Sequence, residues 1–176
     1  PEDIELRSAL STAYFNSENY DEALNHALCV IELDEKDPQA YCNLGSCYSA
    51  QNMVDEAIKA FQKASEIDPD YSLPHTNLGS LYATIGRIEK AIKEFKIATN
   101  MNQSDALAWM NLNSLYKEIG RMDDAQEAYK KYESLMNQES QTSDHSNIPG
   151  GVSSSGELAS GGDLDTASPG MEELTS

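Results

Sequence analysis

A period of 34 residues constrains this chain more than any other feature of it. Three stretches align at that step without a gap: AYCNLGSCY (40–48), PHTNLGSLY (74–82) and AWMNLNSLY (108–116). The segments that follow keep the same step, as DEAIKAFQKASEIDP (55–69), EKAIKEFKIATNMNQ (89–103) and DDAQEAYKKYESL (123–135). One period back, LSTAY (10–14) and DEALNHALCVIELDE (21–35) form a weaker first copy. Four units therefore run on without insertion, at 4–37, 38–71, 72–105 and 106–139. A unit this short cannot bury its apolar face alone, so neighbours must stack and share one core.

Spacing inside the units is helical. Leu78, Leu81, Tyr82 and Ile85 share one face, and Ile88, Ala91, Ile92 and Phe95 share the next. Asn52, Gly86 and Gly120 fall between the two helices, where a left-handed residue ends the first. Asp37-Pro38 and Asp68-Pro69 break the second helix and open the next unit. Gly45, Gly79, Ala57, Ala91 and Ala125 are small enough to let paired helices approach closely.

These residues resemble the tetratricopeptide repeat family over about three quarters of the chain. The second unit matches that pattern throughout, with Tyr41, Leu44, Gly45, Tyr48, Ala57, Phe61, Ala64 and Pro69. The third has His75 for the first aromatic and Gln103 for the proline. The fourth carries Asn113 for the glycine and Tyr132 for the later alanine, and the first has Ser11, Ala27 and Val30 at pattern positions. The resemblance implies an all-α fold: a right-handed α-solenoid of helix-turn-helix repeats, here over residues 1–138. From 139 to 176 the sequence is an acidic Ser/Gly-rich tail. Of the 40 residues from Asn137, five are Leu, Ile or Val and none is aromatic, too few to offset ordering entropy, so a disordered tail is expected.

Charge narrows the function. The net charge is −18, and the chain through Met136 still carries 23 acidic against 12 basic residues. Nucleic-acid binding needs a basic footprint that this chain lacks. No apolar run approaches the roughly 18 residues of a membrane span, so no membrane insertion is expected. Three cysteines, Cys29, Cys42 and Cys47, form neither a CxxC pair nor an even framework, which suits buried thiols in a reducing, cytoplasmic setting. The start at Pro1 suggests a fragment or processed product. His26, His75 and His145 are scattered, with His75 read as a packing residue; no catalytic residues, metal site or cofactor are expected.

In the family, the first helix of each unit lines a concave groove. Helical spacing then puts positions two, five, six, nine, twelve and thirteen of each unit on that face, Cys42 and Thr76 among them at position five, and places Asn43, Asn77 and Asn111 in a ladder, with Thr12, Ser46, Ser80 and Ser114 beside it. An amide offers a donor and an acceptor, so a row of them can pair with the backbone of an extended peptide. This is similar to the asparagine ladder of O-linked N-acetylglucosamine transferases. Leu73, Leu107 and Met110 make one end of the groove apolar, and Lys90, Lys93 and Lys96 point outward as a solvated face. The carboxylate clamp of chaperone-tail binders is absent, because Ser8, Thr12 and Leu73 stand where it needs basic or amide groups. The expected partner is a protein, bound as an extended segment to a non-enzymatic adaptor or scaffold. The last helix, about 122–137, presents Tyr129, Tyr132, Leu135 and Met136 with no cap after it. That edge offers one alternative, a self-assembling scaffold giving a homo-oligomer; a separate alternative is a substrate-selecting module of a larger enzyme.

Overall fold

A computed structural model describes residues 3–144, with side chains through Gln138. Eight helices follow in order: α1 (Ile4–Asn16), α2 (Tyr20–Leu33), α3 (Pro38–Ala50), α4 (Val54–Ile67), α5 (Leu73–Thr84), α6 (Ile88–Met101), α7 (Ala106–Glu118) and α8 (Met122–Asp144). No strand occurs among the described residues. The fold is an all-α solenoid of four helix pairs.

Helix ends repeat as the sequence does. Asp3, Asp37 and Asp105 cap α1, α3 and α7, each accepting a backbone N–H at 2.8–3.2 Å. Pro38 sits in the first turn of α3, where a missing N–H costs nothing. Between the helices of each pair lies one left-handed residue: Glu18, Asn52, Gly86 or Gly120, at φ 60–77°. Just after it, the N–H of Asn19, Met53, Arg87 or Arg121 donates back to the carbonyl of Tyr14, Tyr48, Tyr82 or Tyr116 at 2.8–2.9 Å. This bond closes the helix end in the same way in all four units. Glu18 takes the turn without the glycine or asparagine that eases it elsewhere.

The core of each pair is set by its eighth, twentieth and twenty-fourth positions. Ala23, Ala57, Ala91 and Ala125 are all buried at the crossing. Phe61 and Phe95, 2% and 0% exposed, lie against Gly45 and Gly79. A Cβ on either glycine would stand 2.7 or 2.8 Å from the ring. The first unit reverses the sizes: Ser11 takes the glycine place, Ala27 the aromatic one, and the Ser11 hydroxyl donates to the Ala23 carbonyl at 2.8 Å. The fourth pairs Asn113 with Tyr129, and Tyr129 is left 45% exposed.

Stacking curves the row. α1 touches α3, α3 touches α5 and α5 touches α7, whereas α2, α4, α6 and α8 do not meet one another. The odd-numbered helices are the closer-spaced set and so form the inner face.

Two expectations are corrected. α8 continues to Asp144 rather than ending near 137, so residues 139–144 are helical and not tail. Its apolar period stops there, but no Gly or Pro interrupts Asn137–Asp144, and extending a formed helix costs little. The expectation of disorder for 145–176 lies outside the described residues. His75 is not simply a packed ring: its Nδ1 stands 2.8 Å from Glu94 Oε2, both side chains mostly buried. Lys90, Lys93 and Lys96 are exposed, with Lys90 Nζ 5.4 Å from the Tyr82 ring centroid.

The glycine contact yields a test by sign. On an open helix surface Gly→Ala gains up to about 1 kcal/mol in propensity. At Gly79 the ring of Phe95 must move, and overpacking typically costs about 1–3 kcal/mol. Gly79→Ala should therefore lower the stability measured by urea unfolding, by about 1 kcal/mol net.

Candidate functional site

The inner face gathers part of the expected ladder. Thr12, Asn43 and Ser46 line one small hollow of about 50 Å³ with Ser11 and Phe15. Ser46, Asn77 and Ser80 line a wider one of about 230 Å³ with Phe15, Ser49, Leu81 and Thr84. Its floor is Phe61, the ring seated on Gly45. Asn111 is half-buried on α7 and Ser114 exposed; neither lines these two hollows.

Asn43 is oriented by a relay. The Tyr71 hydroxyl donates to Gln39 Oε1, and Gln39 Nε2 donates to Asn43 Oδ1 at 2.9 Å. With its oxygen engaged, Asn43 keeps Nδ2 as a buried donor that has no partner among the described residues. Burial first, then electrostatic interaction with Cys42, Asp37 and Asp68, pushes the Tyr71 phenol up to about 12. Tyr71 therefore keeps its proton, and the relay its direction, at neutral pH.

The hydroxyls present the opposite polarity. Thr12, Ser80 and Thr84 each donate to the carbonyl four residues back, Ser8, Thr76 and Ser80, at 3.0–3.2 Å. A hydroxyl has one donor, so these three show the groove only lone pairs. The inner face thus carries hydroxyl acceptors, with the Asn43 amide donor buried beside the small hollow that Thr12 lines, the two functions that an extended backbone matches.

Position five departs from the helical-face reading. Cys42 and Thr76 are buried, not open to the groove, and Thr76 Oγ1 donates at 2.6 Å to Oδ2 of Asp105, the residue that caps α7. Met110 holds the same position in the last unit and is 40% exposed, which places it toward the end of the stack. Leu73 and Leu107 are exposed on α5 and α7.

At the end of the stack, the Tyr129 and Tyr132 rings lie 6.3 Å apart, tilted, with Lys117 Nζ 6.0 Å from the Tyr129 centroid. Tyr132 and Leu135 are half-buried, so the edge is partly covered by its own side chains.

Among the described residues no group of three or more His, Cys, Asp or Glu could hold a metal ion. His26 stacks on Tyr14 at 5.4 Å and His75 faces Glu94, so the two are engaged in separate units; His145 lies outside the described residues. No described helix is long and apolar enough to cross a membrane. The residues that sequence reasoning missed are Tyr71 and Gln39 as the orienting pair; Tyr71 closes its unit in a loop, where no periodic signal marks it.

Profiles of the tetratricopeptide repeat family match residues 38–71, 60–93 and 106–135. No curated protein matches the chain in sequence. Among solved structures it is similar to MamA, with 23% identity over 80% of this chain and 82% of that one, at a TM-score of 0.70. It is similar also to TTC0263, a thermophilic repeat protein of Thermus thermophilus, with 20% identity over 82% of this chain and 80% of that one, at a TM-score of 0.71. The Arabidopsis OM64 repeat domain shares 20% identity over 66% of this chain and 97% of its own, at a TM-score of 0.62. At such identities the likeness carries the fold alone.

The thiols give a direct check of the packing. Burial pushes Cys42 up to about 12 and Cys47 up to about 11, so neither forms the reactive thiolate near neutral pH. Iodoacetamide at mildly alkaline pH followed by peptide mass spectrometry should label the half-exposed Cys29 and spare Cys42 and Cys47 until denaturant is added.

Proposed function

Because the chain belongs to the tetratricopeptide repeat family, a family of protein-interaction modules, we propose that it is a non-enzymatic adaptor holding an extended segment of a partner in its inner groove. The observation that carries this reading is Asn43, whose Nδ2 is a buried donor left open by the Tyr71–Gln39 relay. A peptide carbonyl accepting from it would remove a standing cost of about 1–3 kcal/mol. Asn77 and Asn111 repeat the amide one and two units on, with Thr12, Ser46, Ser80 and Ser114 beside the row.

Charge supports it as well. The inner helices of the second and third units, Gln39 to Ala50 and Leu73 to Thr84, include no Asp, Glu, Lys or Arg although the chain carries −18. A backbone can lie there without stripping water from a charge. Gripping by amides reads backbone more than side chains, while Leu73, Leu107 and Met110 offer an apolar contact near the last unit. Free thiols suit a reducing compartment such as the cytoplasm.

A second reading is self-assembly through Tyr129, Tyr132, Leu135 and Met136, favoured by the exposed ring of Tyr129 at the end of the stack.

Peptides selected from a random library decide between them. Combined Asn43→Ala, Asn77→Ala and Asn111→Ala, with the helical circular dichroism kept, should weaken binding at least about tenfold per lost buried hydrogen bond. Replacing single peptide amides by esters should weaken it too. If the variant binds the selected peptides as tightly as the parent, the groove reading fails. A concentration-dependent mass in light scattering would then point to the tyrosine edge.

A further inference from the structure

The two ends of the stack expose what its interior covers. On α1, Leu6, Leu10 and Ala13 hold the third, seventh and tenth positions of the unit, one stripe along the helix. At the third position Ala40, Pro74 and Ala108 are buried, whereas Leu6 is 57% exposed. At the seventh, Leu44, Leu78 and Leu112 are buried and Leu10 only half so. At the tenth, Cys47, Leu81 and Leu115 are buried and Ala13 is exposed. The other end mirrors this. Tyr132 is half-buried where Val30, Ala64 and Ala98 are wholly buried, and Met110 is exposed where Cys42 and Thr76 are closed off.

The interior shows three times what such a stripe receives. α2 packs on α3, α4 on α5 and α6 on α7, so the second helix of one unit lies on the first helix of the next. Among the described residues α8 has no first helix after it, and α1 has no second helix before it. We infer that α8 of one copy of this chain seats on α1 of another, joining copies head to tail by a fourth joint of the same kind.

Charge favours this direction. The chain passes from second helix to next first helix in a few residues, Leu33 to Pro38, Ile67 to Leu73 and Met101 to Ala106. The late half of each second helix therefore lies beside the early half of the helix it covers. Between copies, that sets Lys130 and Lys131 near Asp3 and Glu5, all four exposed. Two copies meeting α8 to α8 would bring lysines to lysines instead. Exposed pairs add little affinity, but they orient the encounter. Because the joint uses two different faces, each added copy leaves one of each open, and growth does not stop at two. The inference is independent of the peptide groove; it rests on the second reading for its α8 edge and supplies the surface that receives that edge.

Sedimentation of the full chain up to about 1 mM, where weak contacts fill, tests it. The mean mass of the parent should rise with concentration and pass that of a dimer. Leu6→Glu and Tyr132→Glu each put a carboxylate on one face, and each alone should stay monomeric with its helical circular dichroism kept. An equimolar mixture of the two should reach twice the monomer mass and stop, since each variant keeps the face that the other has lost. Met110→Glu, on an exposed side chain of the same end, replaces Tyr132→Glu if that variant loses helicity. A parent that stays monomeric would overturn the inference and leave α1 to another occupant. If Leu6→Glu assembles like the parent while Tyr132→Glu does not, the tyrosine edge stands and the head-to-tail joint falls. A mixture that stays monomeric would also refute it.

Discussion

Every unit of this solenoid depends on how close its two helices come, and one pair of positions sets that distance. Where the eighth position is glycine, the aromatic at the twenty-fourth drops onto the helix backbone, as Phe61 does on Gly45 and Phe95 on Gly79. The buried alanines at the twentieth position allow the same approach. Sizes trade within the pair: Ser11 goes with Ala27, glycine with phenylalanine, and Asn113 with a displaced Tyr129. The two central units thus share the close glycine–phenylalanine contact. The fourth gives the same space to a polar side chain and an open cleft.

The groove follows from that packing. Phe61, fixed by Gly45, forms the floor of the hollow in which Ser46, Asn77 and Ser80 meet. The left-handed residue and the bond back to Tyr14, Tyr48, Tyr82 or Tyr116 turn the chain at the same point in each unit. Odd-numbered helices are thereby brought side by side, and their sixth and ninth positions recur along one face. A regular backbone thus displays a regular row of amides and hydroxyls, the pattern that the proposed peptide reading uses.

Most of this was legible in the sequence, because solenoid packing is local and repeats with the chain. The period placed the helix pairs, and Asn52, Gly86 and Gly120 marked three of the four turns. Glu18 at the fourth carried no signal, since glutamate rarely takes a left-handed conformation. The length of α8 was hidden because its last turns have no apolar period to mark them. Position five was misread as groove-lining, because a helical wheel ignores what packs around the helix: Cys42 is buried, and Thr76 is bound by Asp105 at the start of α7. The relay from Tyr71 through Gln39 to Asn43 joins residues up to 32 apart, one of them in a loop. That Leu6, Leu10 and Ala13 lie uncovered on α1 needed coordinates too, because their apolar spacing is that of a covered helix.

The central claim is that inner-face amides meet the backbone of an extended partner segment. Its most direct measurement is the shift of asparagine side-chain amide resonances when a selected peptide binds the labelled chain. The account predicts that Asn43 and Asn77 move together, with Asn111, while amides on α4, α6 and α8 stay in place. Movement confined to α8, or to the outer helices, with Asn43 and Asn77 unmoved, would contradict it.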